Sequence, residues 1–252
     1  MLVRELAMSE KDSVSLDVFG IRPVGVAVES LTKGAVDAAG AFLSRICLPA
    51  AEEFGLALRD KVSEWRAKNA FKMLQKAEEK LNANSGAEKR HAHPRLVAST
   101  LENGSWADNK LVQEMWAGLL ASSCTEDGKD ESNFIFINLL SQLVSTQVII
   151  LDHSCRSAKK IVSQGGWLLP ESLKMTLEEL IKLTGISDVM RLDRELDHLR
   201  SLELIMSGFD PYSTIAELAP TPLALQMYVR CQGFCGSPIE FFNLRPPKNP
   251  AP

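Results

Sequence analysis

Apolar residues recur at helical spacing near the amino-terminal end of the sequence. Steps of three and four residues predict one amphipathic helix between Val24 and Leu48, with the apolar positions Val28, Leu31, Ala35, Ala39, Phe42 and Ile46. Small residues crowd this helix, and small residues allow another helix or a lipid surface to approach closely. Gly34, Ala38 and Gly40 are therefore candidates for a membrane or oligomer contact. Burial of the helix against its neighbour in sequence is the alternative.

A second helix, long and charged, is predicted to begin at Pro49 and to extend to Leu81. Phe54, Trp65 and Phe71 contribute to its apolar stripe, and the acids and bases between them suit ion pairs on an exposed face. The polar stretch at residues 82–93 then predicts a loop.

Residues 94–123 predict two further helices, separated by a turn at Asn103-Gly104. Ser105 or Asp108 is the expected N-cap of the second of them. On that helix Trp116 lies within a broad apolar stripe, between rows of leucine, valine and methionine. A tryptophan flanked by polar residues can grip a ligand, but the surrounding pattern favours a place in the core.

The pattern changes after residue 132. Helices are predicted at residues 133–155, 176–185, 187–205 and 221–233. The Gly208–Tyr212 turn, between the segments at Ile205 and Ile215, predicts a β-hairpin. Three helices followed by a short ribbon are typical of a winged helix. The expected fold is therefore mainly α, with an N-terminal and central helical bundle followed by a C-terminal winged-helix-like module.

These patterns divide the chain into four predicted parts. They are an N-terminal arm at residues 1–22, a helical domain at 23–132, the winged-helix-like module at 133–233 and a proline-rich tail, extended or disordered, at 234–252. A membrane-spanning helix requires roughly 20 apolar residues. Charged residues such as Glu29 and Lys33 interrupt the most apolar region, so no conventional transmembrane segment is expected.

Composition restricts the classes of protein that fit. Of 252 residues 45% are hydrophobic and 24% charged, which is ordinary for a folded globular protein. The 28 basic and 32 acidic residues give a net charge of -4, which argues against a protein that coats nucleic acid. Five scattered cysteines are typical of reduced thiols and favour a cytoplasmic location.

Motifs that carry familiar chemistry do not occur in the sequence. It contains no phosphate-binding loop, no dinucleotide glycine signature and no nucleophile elbow. His91 and His93 have a spacing that suits metal ligands on a strand, but no further Cys or His cluster adjoins them. Cys231 and Cys235 do not have the spacing of a zinc finger. We therefore expect no metal site, no cofactor and no enzymatic activity.

The third helix of a winged helix often enters the major groove of DNA. In this chain it carries Arg191, Arg194 and Arg200, which are the candidate nucleic-acid contacts. Acidic residues interleave with these arginines, and acids repel phosphates. We therefore favour a module that contacts protein and keep DNA binding as the alternative.

Two segments resemble the abortive infection alpha (Abi-alpha) family. In the first, a proline followed by small and acidic residues and a glycine introduces a long helix. In the second, a proline-led helix, an acidic turn and a helix ending in Trp-Ala-x-Leu-Leu resemble the central signature of the family. The resemblance extends from about Ala38 to Arg156 and depends on Pro49, Gly55, Pro94, Glu114, Met115, Trp116, Ala117, Leu119 and Leu120. Residues 196–205 and 218–231 are similar to the less distinctive C-terminal part of the family.

This resemblance implies a role in bacterial defence against phage, in which the infected cell stops growing or dies before progeny emerge. It provides no catalytic residue. The expected function is that of a non-enzymatic effector or sensor that contacts a protein partner, a second copy of itself or a membrane. The protein is expected in the cytoplasm, with membrane association on activation. A winged-helix DNA-binding transcriptional regulator is the alternative function.

Overall fold

The computed structural model describes residues 33–60, 64–83, 89–210 and 212–245. Helices make up most of this part of the chain, which confirms the mainly α prediction. They are α1 (Lys33–Ile46), α2 (Leu48–Asp60), α3 (Glu64–Asn82), α4 (Pro94–Gly104), α5 (Lys110–Ser122), α6 (Phe134–Ser141), α7 (Ser145–Ser157), α8 (Leu177–Thr184), α9 (Val189–Ser201), α10 (Pro222–Cys231) and α11 (Pro238–Phe241). The strands are β1 (His91–Ala92), β2 (Cys124–Thr125), β3 (Lys160–Val162), β4 (Leu168–Pro170), β5 (Lys174–Thr176) and β6 (Ile215–Glu217).

Helix α5 lies at the centre of the packing. It contacts α3, α4, α6, α7 and α10, and its residues from Met115 to Ser122 are all buried. Trp116 is 3% exposed, which confirms the prediction that it belongs to the core. Gly118 allows α10 to approach closely, because a Cβ atom there would lie 1.7 Å from the carbonyl oxygen of Cys231.

The N-cap of α5 differs from the prediction. Asn109 caps this helix, and its Oδ1 accepts hydrogen bonds from the backbone N–H groups of Leu111 at 2.9 Å and Val112 at 3.2 Å. The prediction of Ser105 or Asp108 is therefore wrong. Ser105 ends α4 instead, and its hydroxyl donates to the carbonyl oxygen of Glu102.

Of the helix predicted from Pro49 to Leu81, the structure describes α2 up to Asp60 and α3 from Glu64, and residues 61–63 lie outside the described part. Another stretch predicted as a single helix contains two. The stretch at 133–155 comprises α6 and α7. At the end of α6, the side chains of Ser141 and Gln142 both donate to the carbonyl oxygen of Asn138, and such side-chain hydrogen bonds compete with continuation of a helix.

The strands form three small antiparallel pairs. The β1 and β2 pair lies partly within the predicted loop at residues 82–93, and the β3 and β4 hairpin was not predicted. In the third pair, Met175 of β5 is opposite Ala216 of β6. Ala216 also forms a bridge to Phe209, so the predicted pairing across the Gly208–Tyr212 turn is present.

The prediction of an extended tail is wrong for residues 238–241, which form α11. A capping box explains the helix, because the Ser237 hydroxyl and the Glu240 carboxylate bond each other's backbone N–H groups and Pro238 begins the helix. Aromatic packing then holds it, with Tyr228 stacked on Phe242 at 6.3 Å between ring centroids. Residues 246–252 lie outside the described part.

Buried apolar residues from both sides of the predicted boundary at residues 132 and 133 belong to one hydrophobic cluster. The division into domains stays a prediction. Among the helices that the structure describes, none combines the length and apolar character needed to cross a membrane.

Candidate functional site

The three arginines predicted as nucleic-acid contacts lie on α9, and each is close to a carboxylate of the same helix. Arg191 and Arg194 approach Oε1 of Glu195 at 3.8 and 3.5 Å, and Arg200 lies 2.7 Å from Oδ1 of Asp197. The positive charge of the three arginines is therefore partly neutralised by carboxylates of the same helix.

Glu195 is anchored in the core as well as paired with arginine. It is 7% exposed, and Gln147 of α7 donates a hydrogen bond from Nε2 to its Oε2 at 2.8 Å. Nδ1 of His198 lies 2.8 Å from the same Gln147 nitrogen, and the backbone N–H of Val144 donates to the Gln147 oxygen. A phosphate approaching Arg191 or Arg194 would compete with a carboxylate that cannot move away.

The small residues predicted as a membrane or oligomer contact do not share one environment. Gly34 and Ala38 are exposed on α1, whereas Gly40 is buried. A Cβ atom at Gly34 would meet nothing within 4 Å. Helix α1 packs on α2 and α3, with Phe42 and Leu43 buried. Residues 24–32 of the predicted helix lie outside the described part.

Two tryptophans form an exposed patch where α3 meets the turn between α4 and α5. The rings of Trp65 and Trp106 are 6.1 Å apart between centroids, and Trp106 is 58% exposed. The guanidinium of Arg66 lies 4.2 Å from the Trp106 ring centroid and donates to Oε2 of Glu102 at 2.9 Å. A groove of about 360 Å³ opens beside Trp106 and reaches Val144. We call Trp65, Arg66 and Trp106 the tryptophan patch.

A buried polar network holds the tryptophan patch in place. Gln113 donates from Nε2 to Oδ1 of Asn69 at 3.3 Å and to the carbonyl oxygen of Ala107 at 2.8 Å. Asn69 donates to the carbonyl oxygen of Ser105 at 3.3 Å. Because these buried groups satisfy one another, they fix the turn that carries Trp106 against α3.

Sequence periodicity did not find this patch. It assigned Trp65 to an apolar stripe with Phe54, but the Trp65 side chain is 44% exposed. One signal was available, since Trp106 lies two residues after the predicted Asn103-Gly104 turn, and turns lie at the surface.

The histidines and cysteines considered as metal ligands have other contacts. His93 caps α4 by accepting from the backbone N–H of Arg95 at 3.3 Å, and Nδ1 of His91 lies 3.1 Å from the carbonyl oxygen of Arg45. Cys155, in the His153–Cys155 pair, was a further candidate for a zinc site together with Cys231. Burial raises the pKa of the Cys231 and Cys155 thiols, which disfavours the thiolate that a metal requires. Within the part of the chain that the structure describes, no three His, Cys, Asp or Glu side chains converge on a metal position.

Comparison with known proteins gives one family. The abortive infection alpha family matches residues 66–223, which is more than half of the chain. No curated protein and no solved structure matches the sequence. The match begins at Arg66 of the tryptophan patch and contains Trp116 and all three α9 arginines. It also includes residues 196–205 of the predicted resemblance, whereas Pro49 and Gly55 lie before its start. The chain belongs to the abortive infection alpha family.

Proposed function

We propose that this protein is a non-enzymatic antiphage defence protein that acts by abortive infection. It works as an effector or sensor, through contact with a protein partner, a second copy of the chain or a membrane. Membership of the abortive infection alpha family over residues 66–223 is the observation that carries the proposal.

Exposed aromatic residues on a packed core support a mechanism based on contact. Trp65, Trp106 and Trp167 all have exposed side chains, although most tryptophans bury much of their surface. Tryptophan is enriched among the residues that dominate binding energy at interfaces. The buried polar network beneath Trp106 preorganises one such surface, which reduces the entropy lost on binding.

The proposal extends to the fold of residues 133–233 as a winged-helix-like module. Its support is the order α7, β5, α8, α9, the stretch at 205–209 and then β6, with the β3 and β4 hairpin inserted between α7 and β5. Strand β6 lies between β5 and the stretch at 205–209. In this arrangement α9 is the third helix.

That order also favours the alternative function, a DNA-binding transcriptional regulator. The ion pairs of Arg191, Arg194 and Arg200 with carboxylates of α9 weigh against it. Salt-sensitive binding to duplex DNA that is lost in the Arg191→Ala/Arg194→Ala variant would support the alternative. Binding that survives both changes would exclude α9 as the contact.

The proposed location is the cytoplasm, with membrane association on activation. All five cysteines are free thiols, which suits a reducing compartment. A contact made by α1 is tested at its exposed positions, with Gly34→Leu and Ala38→Leu together. Loss of phage protection by a folded variant would show that α1 is a contact surface. Unchanged protection would show that α1 has only a structural role.

Phage plaquing on cells that express the chain tests the proposed function. We expect fewer plaques than on cells carrying an empty vector, together with growth arrest or death of the infected cells. Equal plaquing on the two strains would contradict a defence role.

A further inference from the structure

The β3 and β4 hairpin has one apolar face that points away from the core. Ile161 is opposite Leu169, and the backbone N–H of Ser163 donates to the carbonyl oxygen of Trp167 at 2.9 Å. Opposed residues of an antiparallel pair lie on the same face. Ile161, Trp167 and Leu169 therefore share a face; all three are exposed, and Trp167 is 73% exposed.

The opposite face and the turn hold the hairpin rigidly. Leu168 packs against the hydrophobic cluster, and Nζ of Lys160 lies 4.6 Å from the ring centroid of Phe242. At the turn, Gly166 adopts a φ of 81°, and Trp167 donates its backbone N–H to the Ser163 hydroxyl at 3.1 Å. The face formed by Ile161, Trp167 and Leu169 is therefore exposed in the chain without a bound partner.

Basic residues lie in and beside the hairpin of a chain of negative net charge. Between Arg156 and Lys174 the sequence has four basic residues and one acidic residue, Glu171, a net of +3 against -4 for the whole chain. Arg156 pairs with Asp152, and Lys159 pairs with Glu171 at 3.0 Å, but both basic side chains remain more than half exposed. Nζ of Lys160 donates to the carbonyl oxygen of Arg156, which brings the basic residues to the base of the hairpin.

We propose that the face formed by Ile161, Trp167 and Leu169 docks on the surface of a bilayer that contains anionic lipid. Tryptophan favours the interface between lipid and water. Two aliphatic side chains beside it can enter the boundary of the acyl chains, and flanking Lys and Arg side chains are attracted to anionic headgroups. The contact is shallow and reversible, because so few apolar residues are buried in it. This inference rests on the proposed contact mechanism and names its partner.

Sedimentation of the full chain with lipid vesicles tests the inference. The vesicles contain phosphatidylcholine with phosphatidylglycerol, or phosphatidylcholine alone. We expect binding to the anionic vesicles that weakens as salt screens the charges. Trp167→Ser should reduce the apparent affinity about tenfold. Tyr212→Ser, which removes an aromatic side chain that is 97% exposed and lies outside the hairpin, is the matched control and should bind like the intact chain.

A second variant, Ile161→Ser/Leu169→Ser, keeps the test valid if one substitution perturbs folding, and unfolding in urea checks each variant. Absence of vesicle binding by the intact chain would overturn the inference, as would equal binding by the Trp167→Ser variant. A third outcome is that the intact chain does not bind vesicles, whereas folded hairpin variants lose phage protection. The face would then contact a protein partner, and the inference would be overturned. Vesicle binding without phage protection would refute the proposed function and leave the hairpin contact standing.

Discussion

Gln147 of α7 donates a hydrogen bond of 2.8 Å to the buried carboxylate of Glu195 on α9. The same carboxylate lies within 3.8 Å of Arg191 and 3.5 Å of Arg194. The buried Glu195 carboxylate therefore connects α7 to Arg191 and Arg194 of α9, two of the residues predicted from the sequence to contact nucleic acid. Helix α9 therefore contributes to the packing of the fold, in addition to any contact that its surface makes.

The Gln147→Leu substitution should destabilise the protein by about 1–3 kcal/mol, because it removes the neutral donor of a buried carboxylate. Urea unfolding followed by circular dichroism measures the change. Asp197→Asn is the control, since it alters only an exposed ion pair on the same helix and should cost about 1 kcal/mol or less. Equal stability of the Gln147→Leu variant and the intact chain would show that the hydrogen bond contributes nothing.

Gly118→Ala should prevent α10 from packing on α5. The added Cβ atom would lie 1.7 Å from the backbone carbonyl oxygen of Cys231, so the helices must separate. We expect a loss of about 3 kcal/mol or more, or no folded protein. Gly34→Ala, where nothing lies within 4 Å, should change stability by about 0.5 kcal/mol or less. A well-folded Gly118→Ala variant of unchanged stability would contradict the close contact.

Much of the helical framework was predictable because its signals are local. The helix α8 shows this well, since Thr176 and Glu179 form a capping box at its start and Gly185 ends it at a φ of 73°. Trp116 was predictable for a related reason: its helix is apolar on almost every side, and only burial satisfies such a surface.

The remaining features depend on contacts distant in sequence. Trp65 and Trp106 meet through the packing of α3 on α5, which no local pattern encodes. Likewise α11 forms within a proline-rich segment because Phe242, at its end, stacks on Tyr228. The arginines of α9 were found from the sequence, but the burial of Glu195 beneath them was not.

The exposed and the buried tryptophan should respond differently to truncation. Trp116→Ala should cost about 3–5 kcal/mol, because it leaves a cavity at the centre of the core. Trp106→Ala should cost about 1 kcal/mol, the scale of its contact with the Arg66 guanidinium. Thermal unfolding of the two variants checks this order. Similar losses would show that the tryptophan patch is part of the core.

Stability should fall as pH rises above about 9, because four thiols are buried. Burial raises the pKa of Cys124 to about 12 from an ordinary value of 9.0, and it also raises the pKa of Cys47, Cys155 and Cys231. The unfolded chain loses these protons first, so each thiol lowers the free energy of unfolding by about 1.4 kcal/mol per pH unit above its ordinary pKa. Tyr228, whose pKa is raised to about 12 by burial, adds to the decline at higher pH.

Urea unfolding between about pH 8 and pH 11 measures this decline. Cys155→Ala should make the slope shallower even though it lowers stability at neutral pH, whereas Cys235→Ala, at a half-buried position, is the control. A flat profile across this range would contradict the burial of the four thiols.

Growth of infected cultures tests abortive infection most directly. Cells that express the full chain, and cells with an empty vector, are infected at low and at high multiplicity. The account predicts that the expressing culture survives at low multiplicity, because early infected cells release few progeny, and collapses at high multiplicity, because nearly every cell is infected and stops growing or dies. Survival at high multiplicity, or lysis like that of the vector strain at low multiplicity, would contradict it.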